Sequence, residues 1–108
     1  MIARFWHGIT PLTKADDYAE YVRKTGIRDL QATPGNKGAF LLRRQVDDQC
    51  EFLVISAWES MAAIQRFSGD DVEKARYYPE DSDYLLELEP HVTHYEIVEA
   101  KQETGTGP

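Results

Sequence analysis

Gly38-Ala-Phe-Leu-Leu-Arg-Arg-Gln-Val-Asp-Asp-Gln-Cys-Glu-Phe-Leu-Val-Ile-Ser-Ala-Trp58 reads as two strands joined by a tight turn. Gly38 to Val46 carries Phe40, Leu41 and Leu42, then Arg43 and Arg44, which alternation sends to opposite faces. Asp47-Asp48 supplies the turn, and Glu51 to Trp58 is the return strand. Within it Phe52-Leu-Val-Ile55 is apolar without interruption, the pattern of a central strand covered on both faces.

The flanks decide what surrounds this hairpin. Before it, Pro34-Gly35-Asn36-Lys37-Gly38 is a turn cluster. Further upstream Ala15, Tyr18, Val22 and Ile27 fall on one helical face. Thr13 offers an N-cap, Asp16 and Asp17 lie in the first turn, and Gly26 weakens the end; the spacing predicts a helix over 13–30. Residues 2–10, with Ile2, Phe5, Trp6 and Ile9, read as a strand that Thr10-Pro11 ends. After the hairpin, Ser60 caps a helix carrying Met61, Ala62, Ile64 and Phe67, and Gly69 closes it. Asp70 or Asp71 caps a short further helix to Tyr77. An acidic loop follows over 78–83, then a helical turn at Leu85, Leu86 and Leu88, and a last strand from His91 to Glu99. The polar tail, 100–108, lacks core residues and is expected to be disordered.

The order is β-α-β-β-α-β. That predicts an α+β domain over 1–99 with the ferredoxin-like split arrangement: an antiparallel four-stranded sheet with both helices on one face. A sheet apolar on both sides in a chain of 108 residues calls for a partner chain, so a homodimer is expected.

Composition narrows the function classes. The net charge of −7 opposes nucleic-acid binding, which needs clustered Lys and Arg, and disfavours anionic membrane surfaces. One cysteine, Cys50, allows no intrachain disulfide; it reads as a thiol in the polar turn 47–51. No apolar run approaches the ~20 residues of a membrane span, and the N-terminus lacks a basic segment followed by an apolar one, so a cytoplasmic location is the default expectation. No two histidines have the i, i+4 helical spacing that suits zinc, so no metal site is expected.

The candidate site lies between Phe67 and Asp81 and in the closing His94-Tyr95-Glu96. Arg76, Tyr77 and Tyr78 can hold an anionic or phenolic ligand, since arginine provides a planar donor fork and tyrosine a hydroxyl on an apolar ring. The alternative is an exposed helix end in which Arg76 pairs with neighbouring acids. Trp6 and His7 are adjacent and point to opposite sheet faces, so only one lines a cavity under the helices. His7 and His94, on strands that neighbour each other in this fold, form a candidate acid–base pair, or else both are structural. Trp58 is core or substrate platform.

Trp6-His7-Gly8, Pro34-Gly-Asn-Lys-Gly38, Trp58-Glu59-Ser60, Phe67-Ser-Gly-Asp-Asp71, Ala75-Arg-Tyr-Tyr-Pro79 and His94-Tyr95-Glu96 resemble small bacterial proteins of the antibiotic biosynthesis monooxygenase-like superfamily over residues 1–99. The resemblance implies a dimeric α+β barrel. It reaches cofactor-independent quinol oxygenases, haem-degrading enzymes and members without assigned activity. The haem-degrading branch is known for a strand-1 Asn, a Trp on the second helix and a His ligand after it. Here strand 1 has no Asn, Phe67 replaces the Trp, and Arg76 or Tyr77 stands in place of the His. The resemblance therefore implies a cofactor-independent monooxygenase acting on a small electron-rich aromatic such as a quinol. His7, His94 and Arg76 are then catalytic, and Trp6, Trp58, Phe67, Tyr77, Tyr78 and Tyr95 bind substrate. The competing reading is a non-catalytic dimer that binds a small ligand.

Overall fold

A computed structural model describes residues 1–101. Four strands, β1 (Ile2–Pro11), β2 (Asn36–Val46), β3 (Gln49–Trp58) and β4 (Thr93–Glu96), form one antiparallel sheet in the order β2-β3-β1-β4. Helices α1 (Ala15–Val22), α2 (Arg28–Ala32) and α3 (Met61–Ser68) connect them, and a single turn, α4 (Asp81–Tyr84), precedes β4. This is the ferredoxin-like α+β arrangement. The expected tail lies, from residue 102 onward, outside the described residues.

Register divides the sheet residues into two sets. β1 pairs with β3 from Ile2↔Trp58 to Pro11↔Gln49, and with β4 from Ile2↔Glu96 to Phe5↔Thr93. Because side chains alternate, the even-numbered residues of β1 and β3 turn toward the helices. Tyr18 and Val22 of α1 pack there on Cys50 and Phe52, with Leu85 beside them and Trp6 against the cluster. Leu30 of α2 and Ala63 and Ile64 of α3 pack on Trp58, with Phe67 at their side. Each fully buried large side chain contributes about 1.5–3 kcal/mol of hydrophobic stabilisation. The odd-numbered set, with Phe5, His7 and Leu53, faces the other way, together with Phe40 and Leu42 of β2 and Tyr95 of β4. On that face Phe40, Leu42 and Tyr95 remain exposed.

Several local expectations are met by the chain and others yield to long-range pairing. Ser60 caps α3 by accepting from the Ala63 amide at 3.1 Å, and Gly69 ends it at φ 87°. Gly35 sits at φ 92° with the Ala63 methyl so close that a Cβ would fall 2.4 Å from it, which only glycine permits. Thr13 does not cap the first helix: no side chain caps α1, which a 3₁₀ turn at Leu12–Lys14 leads into. That helix then continues to Ala32 through a π-helical turn, Arg23–Ile27, that holds Gly26. Cys50 belongs to β3 and is buried, not part of a turn.

Residues 70–77 are not a helix. The Ala75 amide donates to Pro90 O at 2.9 Å, the Val92 amide donates to Glu73 O at 2.8 Å, and Lys74 bridges His91. Pairing with this distant segment satisfies the backbone groups that a local helix would otherwise have satisfied. The last strand is correspondingly shorter than His91–Glu99, since His91 belongs to that bridge and β4 begins at Thr93. The helical turn expected at Leu85–Leu88 forms instead at Asp81–Tyr84, and Leu86 donates to Ile9 O at 2.9 Å, covering the edge of β1 that β4 leaves free.

Candidate functional site

A cavity of about 50 Å³ opens between the two core clusters, roofed by the first helix and floored by β1 and β3. Trp6, Val54 and Ser56 rise from the sheet, Tyr18, Val22 and Leu30 descend from the helix, and Phe67 closes the α3 side. Apolar and aromatic walls thus meet a few polar groups, the composition of a ligand site.

Two of those polar groups are ionisable and buried. Arg4 is 3% exposed. Its Nη1 donates to Val72 O and to His94 Nε2 at 3.1 Å, and its Nη2 donates to Lys74 O at 3.1 Å. No carboxylate among the described residues lies within ion-pair distance of it. Burial lowers its pKa to about 10, so it stays cationic at neutral pH. His94 must accept from that guanidinium, and burial and the Arg4 charge hold its pKa below the ordinary histidine value. It is therefore neutral.

Asp81 is the second, 5% exposed. One carboxylate oxygen accepts from the Tyr18 hydroxyl at 3.0 Å and the other from the Tyr78 amide at 2.6 Å. Burial pushes its pKa up, and these two hydrogen bonds offset part of the rise. Burial also pushes the Tyr18 and Tyr78 hydroxyls well above the usual phenol range, so both are donors at any ordinary pH.

Arg76 forms the rim. Its guanidinium lies 4.7 Å from the Phe67 ring centre and 5.1 Å from that of Tyr78, and Nη2 donates to Asp29 at 3.3 Å. The Tyr78 hydroxyl donates to the same Asp29 oxygen at 2.7 Å. Trp6 Nε1 is buried and meets no acceptor in hydrogen-bond geometry, although Tyr77 is near enough to feel it.

The family model described as antibiotic biosynthesis monooxygenase matches residues 12–75, more than half of the chain. The chain belongs to the antibiotic biosynthesis monooxygenase family. No curated protein matches the sequence. Among solved structures, this family member is similar to a protein of unknown function from Nitrosomonas europaea, with a TM-score of 0.70 at 18% identity, covering 96% of this chain and 95% of that one. A candidate antibiotic biosynthesis monooxygenase from Bacillus cereus superposes with a TM-score of 0.65 at 16% identity, covering 94% and 97%. The heme-degrader MhuD from Mycobacterium tuberculosis, solved with two hemes bound in its active site, gives 0.63 at 18% identity, covering 94% and 100%. Likeness at these identities establishes the shared fold.

Within this monooxygenase-family fold, the structure brings Trp6, Phe67, Arg76 and Tyr78 to the cavity wall. Trp58 lies beneath that wall, wholly buried, its indole N–H donating to Ser56 at 2.8 Å. Tyr77 meets Trp6 edge-on and donates to Glu89 O, outside the cavity. Tyr95 is on the opposite sheet face, edge-on to Phe5 at 5.2 Å.

His7 and His94 do not pair. Strand alternation sends His7 to the open face, where Nδ1 meets Glu89 at 2.6 Å and Nε2 meets Glu51 at 2.8 Å. Arg4↔His94 register holds His94 on the helix side. Sequence reasoning missed Arg4, Tyr18 and Ser56 as site residues, and placed Asp81 in the candidate stretch without giving it a role. The period of two was the available signal for Arg4, since it shares a face with Trp6.

Proposed function

We propose that this protein is a cofactor-independent monooxygenase that oxidises a small electron-rich aromatic, quinol-like substrate with O2, and that it works as a homodimer packed through its open sheet faces. The observation that carries this reading is a buried cation, Arg4, and a buried carboxyl group, Asp81, on one aromatic-walled cavity. In this chemistry the substrate is the reductant. Asp81, with its raised pKa, takes a proton from an acidic ring position or hydroxyl. Arg4 and Arg76 stabilise the oxyanion through which the charge delocalises. The carbanion passes electrons to O2; for a ring methylene, one oxygen atom stays as a carbonyl and the other leaves as water. Trp6, Phe67 and Tyr78 exclude bulk water from the anion meanwhile.

Heme, which MhuD holds, is a poor fit to these residues. No His, Cys or Met lines the cavity among the described residues, and the tyrosines that do are held as phenols. Axial ligation of the iron by the residues common in haem proteins is therefore not provided.

The test is oxygen uptake with dihydroxynaphthalenes and anthrones, on the protein and on its Asp81→Asn and Arg76→Ala variants. Uptake that falls at least tenfold in Asp81→Asn supports the reading. Unchanged uptake in both variants refutes the assignment of roles. Absence of uptake in the parent protein favours a non-catalytic dimer that binds a small ligand, a reading supported by the two hydrogen bonds that already engage Asp81.

A further inference from the structure

We propose that the ligand of this cavity carries a fixed carboxylate on a single aromatic ring, and that Arg4 is the group that receives it. The inference rests on the reading of this cavity as the ligand site, and names what the site selects.

Arg4 is a buried cation that no anion of the described chain answers. Buried charges in proteins are ordinarily paired, because the low-dielectric interior penalises them otherwise. Apart from Arg66, which donates to Pro34 O, the other arginines show that pattern even at the surface: Arg23 meets Glu20 at 3.1 Å, Arg43 meets Asp16 at 2.7 Å and Arg76 meets Asp29 at 3.3 Å. Arg4 has only two carbonyls and a neutral imidazole. A guanidinium carries five N–H donors, and those three contacts use three of them. Two donors remain on a residue that lines the cavity.

The rest of the cavity orients such a ligand. Asp81 would repel a carboxylate, and it is not within ion-pair distance of Arg4, so the anionic end goes to Arg4 and a ring hydroxyl is left for Asp81 or Tyr18. Phe67 is near both guanidinium groups, 5.9 Å from Arg4 and 4.7 Å from Arg76, so an aromatic ring and two cations meet at one corner of the cavity. The space of about 50 Å³ is too small for a fused ring system, and the Arg76–Tyr78 rim must yield even for a single ring to enter. Arg4 also pins the 72–74 segment to β1 through its carbonyl contacts. A purely structural arginine would do that much without discriminating between anionic and neutral ligands.

The test is binding under anaerobic conditions, by calorimetry and tryptophan fluorescence, of 2,5-dihydroxybenzoate, its methyl ester and hydroquinone. The ester keeps the ring and hydroxyls and removes the charge. The acid should bind about 10- to 100-fold tighter than the ester, the size of a hydrogen-bonded charge contact. In Arg4→Gln that preference should fall to near unity. Arg4→Lys, which keeps the charge and loses the fork, should retain an intermediate preference and serves if the Gln variant does not fold. Equal binding of acid and ester, binding of neither, or a preference that survives in the folded variants would overturn the proposal. Oxygen uptake separates the two readings. Preference through Arg4 without turnover sustains the ligand class and defeats the oxygenase; turnover of hydroquinone without acid preference does the reverse.

Discussion

Removing one oxygen atom from the cavity lining should expose how Asp81 is held. Tyr18→Phe keeps the ring, which is buried against Phe52 at 5.2 Å and beside Tyr84, and deletes only the hydroxyl that donates to Asp81. A hydrogen bond to a charged group contributes about 1.5–3 kcal/mol, and one to a neutral carboxyl about 1 kcal/mol. The Tyr78 amide remains as a donor, so with Asp81 ionised the loss should be about 2 kcal/mol, or about 8 °C in Tm for a domain of this size. Asp81 has a folded pKa above the ordinary 3.8. A carboxyl raised in this way favours the folded state fully below its unfolded pKa, and that contribution is lost as pH rises through the folded value. Tyr18→Phe raises the folded pKa further. The stability gap between variant and parent should therefore widen from about 1 kcal/mol below the unfolded pKa to about 2 kcal/mol above the variant's folded value. Urea titrations at constant ionic strength across that interval measure it. A gap below about 0.5 kcal/mol, or one that stays constant with pH, would refute the claim that Tyr18 stabilises an ionisable, buried Asp81.

Leu42→Glu places a charge on the exposed apolar sheet face. Light scattering should then give 12.4 kDa instead of twice that mass, while circular dichroism stays unchanged; a variant that remains dimeric contradicts packing through this face. His7, half-exposed between Glu51 and Glu89, has a raised pKa: burial opposes the charge, but the two carboxylates outweigh it. Its contribution to stability is complete below its unfolded pKa of 6.5 and is lost as pH rises through the raised folded value. At fixed protein concentration Tm should fall across that window, and a His7→Gln variant should lose this component of the decline.

The hairpin, the order of elements and the α3 cap were legible because each rests on local signals: alternation, turn residues and a serine before an apolar helical face. The stretch from Phe67 to Asp81 was also legible as the likeliest place for chemistry to concentrate by residue type, and it supplies Phe67, Arg76, Tyr78 and Asp81 to the cavity. Its conformation was not. Asp70 to Tyr77 has helical caps and polar spacing, yet its backbone is taken by Pro90 and Glu73–Val92 pairing and by Arg4, groups far away in the chain. Alternation put Arg4 on the face of Trp6, but its burial was hidden for the same reason. A single arginine in a strand resembles a solvent-facing residue until carbonyls some seventy positions later close over it. The His7–His94 pair failed on parity: Trp6 took the inward position, and its neighbour had to face out.

The π-turn at Arg23–Ile27 bears on how this scaffold could change over generations. Such a turn is an extra residue absorbed inside a helix. Losing one codon there would restore the ordinary pitch while the helical segments on either side, and every strand, keep their facing. Leu30 would stay on the Trp58 cluster, and Asp29 within reach of Arg76 and Tyr78. Only the short segment holding Thr25 and Gly26, which border the cavity, would be redrawn. A lineage can thus redraw one stretch of the chamber wall by a single in-frame indel while the sheet stays as it is, a cheaper route to a new ligand than rebuilding the floor.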